Sequence, residues 1–160
     1  MAEDFVLMKV DGVAVDEGDA LPLVYLRESS GAGEGGISFK VGPFEASAIL
    51  LQLEGLTPSR PLTHDLMAEL FREGGMNLER AELFGSHEEE PRARIVYRRG
   101  FTRFSKEVRP SDALALALRL KAPICAERSL MTGPARTLAF RREERRNADS
   151  LSRRRGRSSA

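Results

Sequence analysis

Apolar and polar residues alternate over Phe5–Val15, and an Asp-Gly pair interrupts the alternation. A period of two predicts a half-buried strand, and the Asp-Gly pair leaves open a hairpin turn within it. Short apolar runs predict further strands at Pro22–Arg27 and Ile37–Val41. The glycine- and serine-rich segment Ser29–Gly36 lies between these two runs and predicts a flexible hairpin loop.

Three later segments carry helical signals. The first predicted helix runs through Ala46–Leu53 from a Gly-Pro start and ends at a glycine, and its apolar residues cover most of its circumference, so it should be largely buried. The second spans about Thr63–Arg72 and ends at a Gly-Gly pair. The third covers Ala113–Leu120 after a Pro-Ser-Asp start. Its Ala-Leu repeat has a period of two, but the Pro-Ser-Asp start and the helix propensity of Ala and Leu favour a helix.

The remaining strands complete a mixed α/β pattern. Three strands are predicted at Asn77–Phe84, Ala93–Arg99 and Thr102–Val108, and the apolar run Ala122–Ala126 predicts a buried one. The apolar pattern fades after residue 130. We therefore expect a single compact domain over residues 1–134 and a disordered tail over 135–160, with a short helix near Leu138–Arg146 as an option.

Charge is spread unevenly along the chain of 160 residues. From Arg136 onward the chain has nine arginines and three acidic residues, so the net charge of the tail is +6 and that of the rest of the chain is −5. The tail could contact phosphates through salt-sensitive, sequence-independent pairing, although a solvated terminus is the preferred interpretation. The weakly acidic body argues against a broad basic binding groove.

Cys125 is the only cysteine, which excludes an intrachain disulfide and a cysteine-based zinc site. Its apolar surroundings predict a buried structural thiol and not a nucleophile. The N-terminus lacks the basic start of a signal peptide, and no apolar run approaches the roughly 20 residues of a membrane span. We expect a cytoplasmic protein that does not enter a membrane.

The glycine loop contains Gly31-x-Gly33-x-x-Gly36, which formally matches a dinucleotide-binding fingerprint. A phosphate-binding glycine loop must open a helix, so that the helix N-terminus faces the anion. Here a predicted strand follows, and the spacing therefore favours a hairpin loop over a nucleotide site.

The segment Arg60–Leu66, with the sequence Arg-Pro-Leu-Thr-His-Asp-Leu, is the first candidate for chemistry. His64 beside Asp65 offers an acid–base group that titrates near neutral pH and a carboxylate that could hold a divalent ion. Adjacent helical residues point about 100° apart, however, so the two need not share a site. A structural interpretation is favoured on chemistry alone: Thr63 as the N-cap, Asp65 in the first turn, and Arg60 paired with Asp65 or with a free carbonyl.

A second segment has the same order of residue types: Arg109, a proline, Ser111, Asp112 and then a helix. Ser111 as the N-cap and Asp112 near the helix dipole explain it without function. Two such starts at one end of a sheet would also form an anion pocket of arginines and free backbone N–H groups. Glu45 is a further acid in a predicted first turn, either complementing the dipole or binding a metal.

These motifs resemble the bifunctional nuclease domain family, also known as DUF151. The matching segments follow one another along the body of the chain: Gly42–Ala46, Leu53–Leu56, Arg60–Leu66, Arg109–Ala117 and Ala122–Ile124. The resemblance implies an α+β fold, with a mainly antiparallel mixed sheet packed with about three helices. It also implies a homodimer and cleavage of both DNA and RNA.

The leading hypothesis from this resemblance is a nuclease with little sequence preference, assisted by Mg²⁺ or Mn²⁺. The expected catalytic residues are His64, Asp65, Glu45 and Asp112. The expected phosphate-binding residues are Arg60, Arg109, Thr63 and Ser111, while the set of metal ligands stays open. The alternative is a non-catalytic dimeric module that binds a small anion or a protein partner, with the tail as a tether.

Overall fold

The computed structural model describes residues 4–15, 21–31 and 35–134. Within these ranges the strands are β1 (Phe5–Ala14), β2 (Leu23–Glu28), β3 (Gly35–Lys40), β4 (Met76–Phe84), β5 (Arg92–Arg99), β6 (Thr102–Val108), β7 (Ile124–Glu127) and β8 (Thr132–Pro134). The helices are α1 (Pro43–Leu53), α2 (Thr63–Glu73) and α3 (Pro110–Leu120), and a short 3₁₀ turn spans Arg128–Leu130. The predicted strands and helices are confirmed to within a few residues at their ends.

The described strands form one sheet in the order β6-β5-β4-β7-β1-β2-β3-β8. Only β4 and β7 pair in parallel, and every other neighbouring pair is antiparallel. The α+β prediction with a mainly antiparallel mixed sheet is therefore confirmed. Strand β1 is one continuous strand, because the Asp-Gly pair forms a bulge in its pairing with β2 and not a hairpin turn. The glycine-rich segment joins the antiparallel strands β2 and β3, as expected for a hairpin.

The core lies between one face of the sheet and the three helices. Alternate β1 residues Val6, Met8 and Val10 point into this core, which explains the period of two in the sequence. Helix α3 is central: it contacts both other helices as well as β4 and β5, and its residues 113–117 are almost completely buried. Helix α1 is less buried than predicted, since Leu50 remains 43% exposed. No helix among the described residues is long and apolar enough to cross a membrane.

Helices α2 and α3 begin without the side-chain caps predicted for them. The N-cap position of α2 is Leu62 and that of α3 is Arg109, and neither makes a side-chain cap hydrogen bond. The predictions of Thr63 and Ser111 as N-caps are therefore wrong, since both residues already lie inside their helices. Asp65 takes over part of the role, because its Oδ2 accepts a hydrogen bond from the Leu62 backbone N–H at 2.8 Å. The tail prediction for 135–160, including the optional helix at Leu138–Arg146, lies outside the described residues.

Candidate functional site

The packing of α2 against α3 brings the two Arg-Pro helix starts together. His64, the second residue of α2, places its Nε2 3.0 Å from Oδ1 of Asp112 in the first turn of α3. His64 is buried, with 8% of its surface exposed. If Nε2 carries the proton that is donated to the carboxylate, Nδ1 is left as an acceptor. The hydrogen bond thus orients the imidazole and selects its tautomer.

Arg109 extends this contact to α1. Its Nε and Nη2 donate to the two carboxylate oxygens of Asp112 at 2.7 and 3.0 Å, a forked geometry that fixes both side chains. Its Nη1 donates to Oε1 of Glu45 in the first turn of α1 at 3.0 Å. The starts of all three helices are therefore joined by one chain of contacts, His64–Asp112–Arg109–Glu45, which we call the helix-start cluster.

The contacts of the cluster stabilise the charged forms of Asp112 and Arg109. Burial raises the pKa of Asp112. The hydrogen bonds from Arg109 and His64 lower this pKa by more than burial raises it, so it lies below its usual value. The hydrogen bond to Asp112 raises the pKa of Arg109 in turn. Asp112 is consequently an ionised acceptor. The Arg109 side chain is 66% exposed, so its guanidinium is accessible from solvent.

Asp65 points away from the cluster, in keeping with the wide angle between adjacent helical residues. Its Oδ1 accepts a hydrogen bond from Nε of Arg119 at 2.5 Å, and its Oδ2 holds the Leu62 N–H. Burial raises the pKa of Asp65, but these hydrogen bonds and the positive charge of Arg119 lower it overall. The suggested pairing of Arg60 with Asp65 is wrong, because Arg119 occupies that place.

Arg119 is the polar residue that the sequence analysis missed. Its side chain is only 4% exposed, and its Nη1 donates to the carbonyl oxygens of Ala48 and Ala115 at 3.2 and 3.0 Å. It thereby ties together α1, α2 and α3. The available signal was a single arginine within the otherwise apolar segment 113–120, because a buried charge requires partners.

The other three residues predicted to bind phosphate, Arg60, Thr63 and Ser111, do not belong to the helix-start cluster. Arg60 and Thr63 are exposed and lie outside the contact chain of the cluster. Ser111 is buried at 7% exposure and lines an open cavity of about 270 Å³ beside the cluster. Glu45 and Arg109 line the same cavity, whereas His64 and Asp112 do not, so a ligand in this cavity would meet the Glu45–Arg109 end of the cluster.

Gly42 makes room for Glu45 in this arrangement. A Cβ at position 42 would lie 2.2 Å from Oε2 of Glu45, closer than atoms can approach. The glycine therefore lets the Glu45 carboxylate fold back over the start of α1 toward Arg109.

The described residues offer few side-chain ligands for the expected divalent ion. Within the described residues, no group of three His, Cys, Asp or Glu side chains is close enough to hold a metal. Glu45 and Asp112 are the two carboxylates that share Arg109. Mg²⁺ often takes only one or two carboxylates and completes its shell with water and substrate phosphates, so Glu45 and Asp112 would have to exchange Arg109 for such an ion.

The fold and the helix-start cluster define a small α+β protein whose polar groups converge at the N-termini of its helices. The bifunctional nuclease domain model matches residues 24–137, and the chain belongs to this family. The chain is also 32% identical over 124 residues to two uncharacterized proteins of Mycobacterium tuberculosis, from strains CDC 1551 and H37Rv. Each alignment covers 78% of this chain and 73% of the relative.

Proposed function

We propose that the protein is a nuclease that hydrolyses phosphodiester bonds of DNA and RNA with little sequence preference. The helix-start cluster is the observation that carries this proposal. It combines an oriented histidine, two carboxylates and an exposed arginine beside a cavity. The match to the nuclease family supports the same reaction class.

Each residue of the cluster would have a role in the reaction that follows from its chemistry. His64 would act as general acid or base through Nδ1, since Asp112 orients its other nitrogen. Arg109 would exchange a carboxylate partner for a phosphate oxygen, a ligand that its planar guanidinium binds well. Mg²⁺ or Mn²⁺ held by Glu45 and Asp112 would stabilise negative charge on the phosphate.

The remaining predicted residues would have supporting roles. Ser111 lines the cavity and could donate its hydroxyl to a phosphate. Arg60 and Thr63 are exposed near the start of α2 and could contact a longer substrate. Asp65 is better assigned as a positioning residue, because it holds the first turn of α2 against Arg119.

The chain itself offers a matched control for testing this proposal. It has two histidines, and His87 is exposed in the turn between β4 and β5. Plasmid DNA and RNA would be incubated with highly purified wild type, His64→Ala and His87→Ala, each with Mg²⁺, Mn²⁺ or EDTA. We expect His64→Ala to lose about 10²–10⁴-fold in rate, as for loss of a general acid–base group, while His87→Ala keeps wild-type activity. Activity that survives both EDTA and His64→Ala would show that the proposed site is wrong.

A second candidate is a non-catalytic dimeric module that binds a small anion or a protein partner. The mutual neutralisation of the cluster favours it, because Arg109 already pairs with two carboxylates and His64 is buried. This candidate predicts no cleavage with any divalent ion. It predicts a higher melting temperature in phosphate or pyrophosphate, since a ligand that binds only the folded state stabilises it.

We further propose a homodimer located in the cytosol. The N-cap Leu62 and the α2 residues Leu66 and Leu70 are exposed at intervals of four residues, with 39 to 52% of each on the surface. Such an apolar stripe is typical of a protein–protein contact. Light scattering coupled to gel filtration should give a molar mass of twice the chain mass of 17.7 kDa. The Leu66→Lys variant should have a molar mass closer to that of one chain.

The lone cysteine is compatible with a reducing compartment such as the cytosol, which cell fractionation would test.

A further inference from the structure

Arginines are concentrated on the sheet face opposite the core. In β5, Ala93 and Ile95 are buried in the core, so the alternate residues Arg92, Arg94 and Arg98 point to the other face. The register places Arg80 of β4 and Arg103 of β6 on that face as well, since they pair with Val96 and Arg98. We call these five arginines, over three adjacent strands, the arginine face.

Two glutamates on this face, Glu79 and Glu82, each contact two arginines. Arg80 and Arg94 both donate to the carboxylate of Glu82. Arg98 and Arg103 both contact Glu79, at 2.9 and 2.7 Å. The Glu79 group thus has two cations for one anion and keeps a net positive charge.

The positive groups also lie outermost. The Glu82 and Glu79 side chains are 2% and 17% exposed. The side chains of the four arginines that hold them are 30 to 55% exposed. Arg92 is 60% exposed and pairs with the exposed Glu107 at 2.7 Å. An approaching ligand therefore meets guanidinium groups before it meets most of the carboxylates, although the body of the chain is acidic overall.

Aromatic rings hold two of these guanidinium groups in place. The guanidinium carbons of Arg92 and Arg94 lie 5.0 and 5.2 Å from the centroid of the Phe84 ring. Arginine stacked on a ring is partly pre-ordered for contact with a phosphate oxygen. Its flat outer surface also suits a nucleobase.

Two residues of the arginine face and its ion pairs, Arg92 and Glu107, are close in sequence to residues of the cavity beside the helix-start cluster. Arg92 begins β5 directly after Pro91, and Pro91 lines the same cavity as Arg109. At the neighbouring end of β6, Glu107 binds Arg92 and is followed two residues later by Arg109. A strand lying on the arginine face could therefore continue into the cavity.

We propose that the arginine face binds the sugar–phosphate backbone of a nucleic-acid strand and directs it toward the helix-start cluster. The charge of the face complements a polyanion, and its extent over three strands suits an extended ligand. This inference rests on the proposed nuclease function for the direction of the strand. The contact itself does not depend on catalysis.

The test measures binding in EDTA, so that no cleavage is required. Fluorescence anisotropy of a labelled single-stranded oligonucleotide would be recorded from about 50 to 200 mM salt. The full chain would be compared with Arg92→Gln/Arg103→Gln, which removes the two most exposed arginines of the face. The matched control is Arg27→Gln/Arg128→Gln, which removes two exposed arginines, also paired with acids, from outside the face.

We expect the first double variant to bind roughly tenfold more weakly, and its log–log salt slope to be smaller by about 1.4 because two phosphate contacts are lost. The control should bind like wild type, and circular dichroism should show that both variants are folded. Equal binding by wild type and the first variant, or an equal loss in the control, would overturn the inference. If the first variant binds weakly and wild type cleaves no nucleic acid, this inference is supported while the nuclease proposal is rejected.

Discussion

Nε2 of His64 and Oδ1 of Asp112 lie 3.0 Å apart, although the two residues are 48 positions apart in the chain. Each belongs to an Arg-Pro helix start, and the contact shows that the two motifs form one structural unit. Asp112 also holds Arg109 in a fork, so one carboxylate orients both a potential acid–base group and a potential phosphate ligand.

Substitution of Asp112 should therefore disturb stability and activity together. Asp112→Asn keeps the size of the side chain but removes the ionised acceptor for His64 and Arg109. We expect a loss of about 1–3 kcal/mol in the free energy of unfolding, measured by urea titration. If the nuclease proposal holds, cleavage should fall with it. Asp4→Asn is the control, because Asp4 makes an exposed pair with Arg128 and should change stability by under about 0.5 kcal/mol.

Arg119 should be far more important for stability than the exposed arginines. Arg119→Met would leave Asp65 without its cation and two helix carbonyls without their donor. Breaking such a buried pair typically costs about 3–5 kcal/mol, and the partial exposure of Asp65 points to the lower end. Arg119→Lys keeps the charge but not the planar set of N–H donors, so its free energy of unfolding should lie between those of Arg119→Met and wild type. A loss no larger than that of Arg128→Met in urea unfolding would contradict this role.

Stability should fall in acid. The pKa values of Asp65 and Asp112 are lowered in the folded protein, so the unfolded chain takes up protons first as the pH decreases. The stabilisation is therefore fully present above about pH 5 and is lost as the pH falls through the lowered pKa values. Urea midpoints measured between about pH 6 and pH 3 should decrease less in Asp65→Asn/Asp112→Asn than in wild type. Parallel decreases would mean that other carboxyl groups dominate.

The thiol of Cys125 should react slowly in the native protein. Burial raises its pKa, and the charges of Arg80 and Glu82 act in opposite directions. Little thiolate is therefore present near neutral pH, as for a structural cysteine. The residue is only partly buried, however, and not fully buried as predicted. Because the chain has one cysteine, a thiol-specific dye reports on this position alone. Labelling at pH 7 should be many-fold slower in buffer than in urea, and equal rates would argue for an accessible, reactive thiol.

The domain boundary near residue 134 can be tested by truncation. A chain that ends at residue 134 should keep the melting temperature of the full chain, since the core cluster ends with Leu130 and Met131. It should lose part of any nucleic-acid affinity, because nine arginines would be removed. A large drop in melting temperature would place residues beyond 134 in the folded domain.

The sequence by itself determined the elements and the class of fold. Period-two alternation marked β1, and Gly-Pro, Arg-Pro and Gly-Gly pairs marked where helices begin and end, because these are local properties of the backbone. The family motifs pointed to the segments that form the helix-start cluster for the same reason: Glu45, His64, Arg109 and Asp112 all lie in short, recognisable helix starts.

Only the tertiary structure decided which of these groups touch. His64 reaches Asp112 while its neighbour Asp65 reaches Arg119, and this depends on how α2 crosses α3. The caps assigned to Thr63 and Ser111 were wrong because the backbone enters both helices one or two residues earlier. The arginine face was likewise invisible in the sequence, where Arg80, Arg94 and Arg103 are widely separated. Strand register brings them side by side, and register is fixed by long-range burial of the opposite face.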